Sequence, residues 1–138
     1  MIEISMPFRH HHVACALIER DGLLLAAQRS ATMSLPLKWE FPGGKIEGGE
    51  SPAECLHREL REEMEISVVI GQALLPQTYQ YPDFSVTLYP FVCQLATAEI
   101  VLREHAAMRW VTPAELMTLD WAAADLPVIA AYLSKAEL

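Results

Sequence analysis

The stretch GKIEGGESPAECLHRELREEMEI, residues 44–66, decides how this 138-residue chain folds. Its middle opens with Ser51-Pro52-Ala53-Glu54. That is a capping box with proline at the first helical position, so a helix starts there. Ala53, Leu56, Leu60 and Met64 recur at intervals of three and four, which turns one stripe toward a core. Glu59, Glu62 and Glu63 stand at i, i+3 and i+4 beside that stripe. Like charges at those spacings repel by roughly a few tenths of a kcal/mol per pair. A purely structural helix gains nothing from the arrangement. A hard divalent cation, which takes carboxylate oxygens, reverses its sign.

The residues just upstream extend the same theme. Gly43-Gly44 lets the backbone pass close to a ligand and offers carbonyls to a metal shell. Glu50 precedes the helix, and Arg58 is placed to pair with it and fix the loop to the helix, a geometry suited to a bidentate bond. Loop and helix together read as a cradle for metal-bound phosphates.

Strand signals lie on both sides of this helix. His12 to Ile18 and Leu23 to Gln28 read as two strands joined at Asp21-Gly22, a strong hairpin signal. Lys38 to Phe41 reads as a short strand that ends at Pro42-Gly43-Gly44, a turn by composition. Downstream come two longer β-rich stretches, Ile66 to Gln80 and Phe84 to Leu95, with Pro82-Asp83 between them as a hairpin turn and Gly71 marking a bulge or break. Met108 to Val111 reads as a strand, Thr112-Pro113-Ala114-Glu115 opens a short helix, and Leu126 to Lys135 a terminal one. This order predicts a mixed α/β layer architecture rather than a βαβαβ one.

Composition excludes several classes. Half of the residues are hydrophobic (52%) and 20% are charged, which is globular rather than disordered. The net charge of −8 argues against a nucleic-acid polymer or an anionic membrane surface as partner. No apolar run approaches the ~20 residues of a membrane span. Cys15, Cys55 and Cys93 lie far apart without zinc spacing, so a reducing cytoplasm is expected. His10, His11 and His12 are adjacent and precede a strand, a poor arrangement for a metal. Seven of the 18 acids fall between Glu47 and Glu65, against Arg58 and Arg61 alone among the strong bases there.

Gly44, Glu50, the run Arg58-Glu59-Leu60-Arg61-Glu62-Glu63 and Ile66 together resemble the Nudix box, G-x5-E-x7-R-E-U-x-E-E-x-G-U, where U is a bulky aliphatic. Eight of the nine specified positions match. Glu65 stands where the family has glycine; a glutamate held there at positive φ costs roughly 1 kcal/mol, unless the helix runs one residue further. The segment Lys38-Trp39-Glu40-Phe41-Pro42-Gly43-Gly44-Lys45 is similar to the mutator-type (MutT-like) branch, and the likeness continues through the 79–95 hairpin, Glu104-His105, Trp110 to Glu115 and Ala124 to Pro127.

The resemblance implies an α/β Nudix fold, a mixed β-sheet sandwiched between helices, with residues 1–138 as a single domain. It implies hydrolysis of a nucleoside triphosphate of the 8-oxo-dGTP, CTP or modified dCTP class to monophosphate and pyrophosphate, using Mg²⁺ or Mn²⁺. It places Glu59, Glu62, Glu63, Glu104 and a carbonyl of Gly43 or Gly44 at the metal, with Glu59, Glu63 or Glu104 as the base. Arg29 would contact phosphate, or be a surface arginine at a strand end; Lys45 would approach phosphate or be solvated. Tyr81 would meet the base or be an ordinary tyrosine, and Asp125 would read the base edge, cap the terminal helix, or both. The implied partners are the nucleotide alone, without nucleic acid or membrane, in a monomer or homodimer of the cytoplasm. The alternatives are a Nudix hydrolase for ADP-ribose or another nucleoside diphosphate derivative, and a Nudix-like binding domain without turnover.

Overall fold

The unbroken apolar run from Val13 to Ile18 builds the long central strand β1 (Arg9–Arg20), in a computed structural model that describes residues 9–136. Side chains alternate across a strand, and here both faces are covered. Ala14, Ala16 and Ile18 point to one core, whereas Cys15 and Leu17 point to the other. The chain turns at Asp21-Gly22, both at positive φ (52° and 79°), and returns as β2 (Leu23–Gln28). The strand therefore extends beyond His12 to Ile18 at both ends, while the hairpin lies where the dipeptide placed it.

After β3 (Trp39–Glu40), Pro42-Gly43-Gly44 is not the expected turn. Gly43–Lys45 forms a strand, β4, antiparallel to Val13–Cys15 of β1. The physical reason is the missing side chain, since a Cβ on Gly43 would run into the Ala14 carbonyl. The helix α1 (Pro52–Met64) has the predicted capping box at Ser51 and Glu54. Its residues Cys55, Leu56, Leu60 and Met64 are fully buried against the Ala14, Ala16, Ile18 face, so Cys55 joins the predicted stripe while Ala53, expected in it, is only half-buried. The helix stops at Met64, and Glu65 takes the left-handed conformation of the family glycine (φ 54°, ψ 38°).

The stretch from Ile66 to Gln80 divides into β5 (Val68–Ala73) and β6 (Gln77–Gln80), separated by Leu74-Leu75-Pro76. The register shifts between Ile70 and Ala73, around Gly71 as expected. Both pair with β7 (Phe84–Leu95), which runs parallel to β1 along 11 residue pairs. The last strand, β8 (Ala107–Val111), lies antiparallel to β2. One parallel pairing among antiparallel ones makes the sheet mixed. The segment after Thr112 has its capping box but is a 3-10 helix, Pro113–Thr118. A second 3-10 turn, Ala123–Asp125, leads into α2 (Leu126–Ala136), whose Val128 and Ile129 cover the face opposite α1. No helix among the described residues is long and apolar enough to cross a membrane. His10 bonds the hydroxyls of Ser85 and Thr87, and His12 bonds that of Tyr89, so these histidines serve the β1–β7 face.

Candidate functional site

The acid face of α1 is organised by one arginine. Arg58 grips Glu50 with two bonds, Nε to Oε2 at 2.5 Å and Nη2 to Oε1 at 3.0 Å. Its Nη1 donates to both Glu59 Oε1 and Glu62 Oε1 at 2.9 Å. The Nη2 also donates to the Lys45 carbonyl at 3.2 Å. The predicted Glu50–Arg58 clasp thus ties the 46–50 loop to the helix, and its hydrogen bonds hold the Glu50 carboxyl down at about 2. Glu47 and Glu50 close the loop further, with the Glu47 amide donating to Glu50 Oε1 at 2.9 Å.

Beside this web a cavity of about 520 Å³ is lined by Gly43, Gly44, Glu59, Glu62, Glu63 and Glu104. Glu63 is buried, and its Oε1 has no hydrogen-bond partner. Burial first, then the nearby Glu59, Glu104 and Glu40, push its carboxyl up to about 9. Glu59 is raised by burial against the opposing pull of Arg58. A Cβ on Gly44 would overlap the Glu59 carboxylate as it stands, so a larger residue there would displace that carboxylate. Among the described residues no three His, Cys, Asp or Glu side chains converge closely enough to cage an ion as they stand. Arg58 holds Glu59 and Glu62 instead, so an ion would have to draw those carboxylates away from it.

A second cavity, of about 470 Å³, adjoins the first. Val13, Arg29, Glu40, Lys45, Leu88 and Asp125 line both. Asp125 is buried, and its Oδ1 accepts from the Phe41 amide at 3.1 Å. Burial and the neighbouring Glu40 push its carboxyl well above the ordinary range. Asp125 ends the 3-10 turn directly before Leu126, and among the described residues its carboxylate bonds the Phe41 amide rather than an amide of α2. Tyr81 stacks on Phe84 with centroids 4.8 Å apart, and its hydroxyl accepts from the Ala124 amide at 3.0 Å. One wall is therefore aromatic and held in place.

Arg29 is neither a loose surface side chain nor free of internal bonds. Its Nη1 donates to Glu40 Oε1 at 2.7 Å, and its Nε and Nη2 donate to the Ser34 carbonyl and hydroxyl. The other oxygen of Glu40 meets His105, whose Nε2 lies 2.9 Å from Oε2. Glu40 and His105 are the site residues that reading the sequence missed. Glu40 sits on a two-residue strand, too short for alternation to show its direction. Its signal was the opposite charge of Arg29, which only the β2–β3 pairing brings near.

Residues 8–132 match the NUDIX domain family. The chain is 34% identical over 122 residues to the CTP pyrophosphohydrolase of Escherichia coli K12, covering 88% of this chain and 90% of that protein. It is 33% identical over 119 residues to the 8-oxo-dGTP diphosphatase of the same strain, covering 86% and 92%. The solution structure of a MutT protein from methicillin-resistant Staphylococcus aureus 252, a Nudix-family hydrolase, superimposes with a TM-score of 0.74 at 38% identity, covering 93% and 98% of the two chains.

Proposed function

This chain belongs to the NUDIX family, and from that premise we propose that it hydrolyses a nucleoside triphosphate of the CTP or 8-oxo-dGTP class to the monophosphate and pyrophosphate. The observation that carries this reading is the shared wall of the two cavities. One is acidic and glycine-lined, the other aromatic, with Asp125 at their junction. A ligand suited to both has a polyanionic end and a flat, hydrogen-bonding end, which describes a nucleotide.

Glu59, Glu62, Glu63 and Glu104, with a carbonyl of Gly43 or Gly44, would hold divalent cations, Mg²⁺ or Mn²⁺. The unpartnered Glu63 oxygen and the crowding of like charges support that fit. A bound cation would offset phosphate charge and lower the pKa of water there. Glu59, Glu63 or Glu104 would take the proton from the attacking water. Arg29 and Lys45 face the phosphates from the shared wall. Tyr81 and Phe84 offer aromatic surface to the base, and Asp125 reads its edge. An ionised aspartate only accepts, whereas a protonated one also donates, so its raised affinity for a proton widens the edges it can pair. Residues 1–138 act as one domain, as a monomer or homodimer, and a reducing cytoplasm suits three free, buried cysteines.

The test is a kcat/KM panel over CTP, dCTP, 8-oxo-dGTP, dGTP and ADP-ribose, run with Glu63→Gln and Asp125→Asn. Triphosphates are expected to lead, with pyrophosphate released and kcat lowered by about 10²-fold or more in Glu63→Gln. Asp125→Asn should alter the ranking of bases more than kcat. A clear preference for ADP-ribose would overturn the assignment.

A further inference from the structure

The end of α1 keeps a glutamate in a conformation that favours glycine. Glu65 lies at φ 54° and ψ 38°, where a Cβ is crowded against the following carbonyl. Its amide caps the helix on the carbonyls of Arg61 and Leu60, which glycine would do equally well. What glycine lacks is the carboxylate. Glu65 Oε2 receives Arg103 Nε at 2.6 Å and also pairs with Nη2 of the same guanidinium. The segment around Arg103 docks on the helix end by its backbone as well, with Val101 N donating to Met64 O and Arg103 N to Glu63 O, each at 3.0 Å. On the far side of Glu104, His105 is fully buried against Glu40, and Ala106 N donates to Gln28 O at 2.8 Å. Glu104 is thus an exposed residue between two anchors, on the rim of the acidic cavity.

We propose that Glu65, acting through Arg103, is a positioning residue that holds Glu104 over the acid face of α1. The proposal rests on the reading of Glu104 given under Proposed function. Side-chain exposures of 59% for Arg103 and 40% for Glu65 mean that solvent screens the pair, so it contributes little to folding. It does not offset the left-handed backbone. As a stability device the arrangement is a poor one; as a restraint on the residue next in sequence it is direct.

Glu65→Gly, Glu65→Asn and Arg103→Met are compared alone and combined with Glu104→Gln. Glycine relieves the backbone, and asparagine tolerates it without the charge, so both variants fold. The Tm of Glu65→Gly should rise. All three single variants should lower kcat by about tenfold with KM unchanged, the usual scale for losing an outer support of a site. In metal-free protein the amides of residues 101–106 should exchange faster, with those of α1 unchanged. In the Glu104→Gln background none of the three should cost anything further, because the group they position is gone. Wild-type kcat in Glu65→Gly beside a slow Glu104→Gln overturns this proposal alone, as do losses that multiply with that of Glu104→Gln. Wild-type kcat in Glu104→Gln itself overturns the role of Glu104 and this proposal with it.

Discussion

Glu63 gathers several electrostatic penalties in one side chain. It is buried, lacks a partner on Oε1, and faces three other carboxylates. Its proton leaves the unfolded chain near the ordinary value of 4.5 and the folded chain only at about 9. The folded state therefore binds the extra proton between those values, and stability without divalent ions falls as pH rises through that window. Glu63→Gln should flatten this slope and raise Tm at pH 8 in chelator, while lowering kcat by about 10²-fold or more. Thermal melts from pH 5 to 9 check the first outcome, and turnover with Mg²⁺ the second. Asp125 carries a different load. Asp125→Ala would leave the buried Phe41 amide unpaired, at a cost of about 1–3 kcal/mol in chemical denaturation, whereas Asp125→Asn keeps an acceptor there.

At the scale of elements, α1 serves the fold with one face and the site with the next. The two roles separate by mutation. Ser51→Ala removes the N-cap acceptor of the Glu54 amide and should cost about 1 kcal/mol of stability with kcat unchanged. Gly44→Ala acts in the opposite sense. Its Cβ would push the Glu59 carboxylate aside, so metal-dependent turnover should fall more than Tm does. Denaturant melts and steady-state rates on the same preparations distinguish the two. Strand β4 matters for the same reason, since its glycine pair lets the backbone run beside Glu59 with no side chain between them.

For the whole molecule, α1 and α2 pack on opposite faces of one sheet, and Glu40 of β3 and Lys45 of β4 line both cavities. Four of the seven acids between Glu47 and Glu65 line the acidic cavity, namely Glu47, Glu59, Glu62 and Glu63, so a divalent cation should stabilise the fold by mass action. At a hundred times its Kd, Mg²⁺ should add about 2.7 kcal/mol, and Glu59→Gln with Glu63→Gln should remove the response in a melt. The start of α1, its cap, most of its buried stripe and the acid run could be read along the chain, because caps and helical periodicity are local properties within about one turn. The Asp21-Gly22 hairpin was legible for the same reason. The Gly43–Lys45 strand, the break at Leu74-Leu75-Pro76 and the 3-10 form of Pro113–Thr118 were not legible, since pairing partners rather than local preference set them. Packing alone brings Asp125 to Phe41 across 84 residues, links Arg29 to His105 through Glu40, and carries Arg103 to Glu65. Such contacts depend on how strands register and faces pack, and no spacing along the chain encodes them.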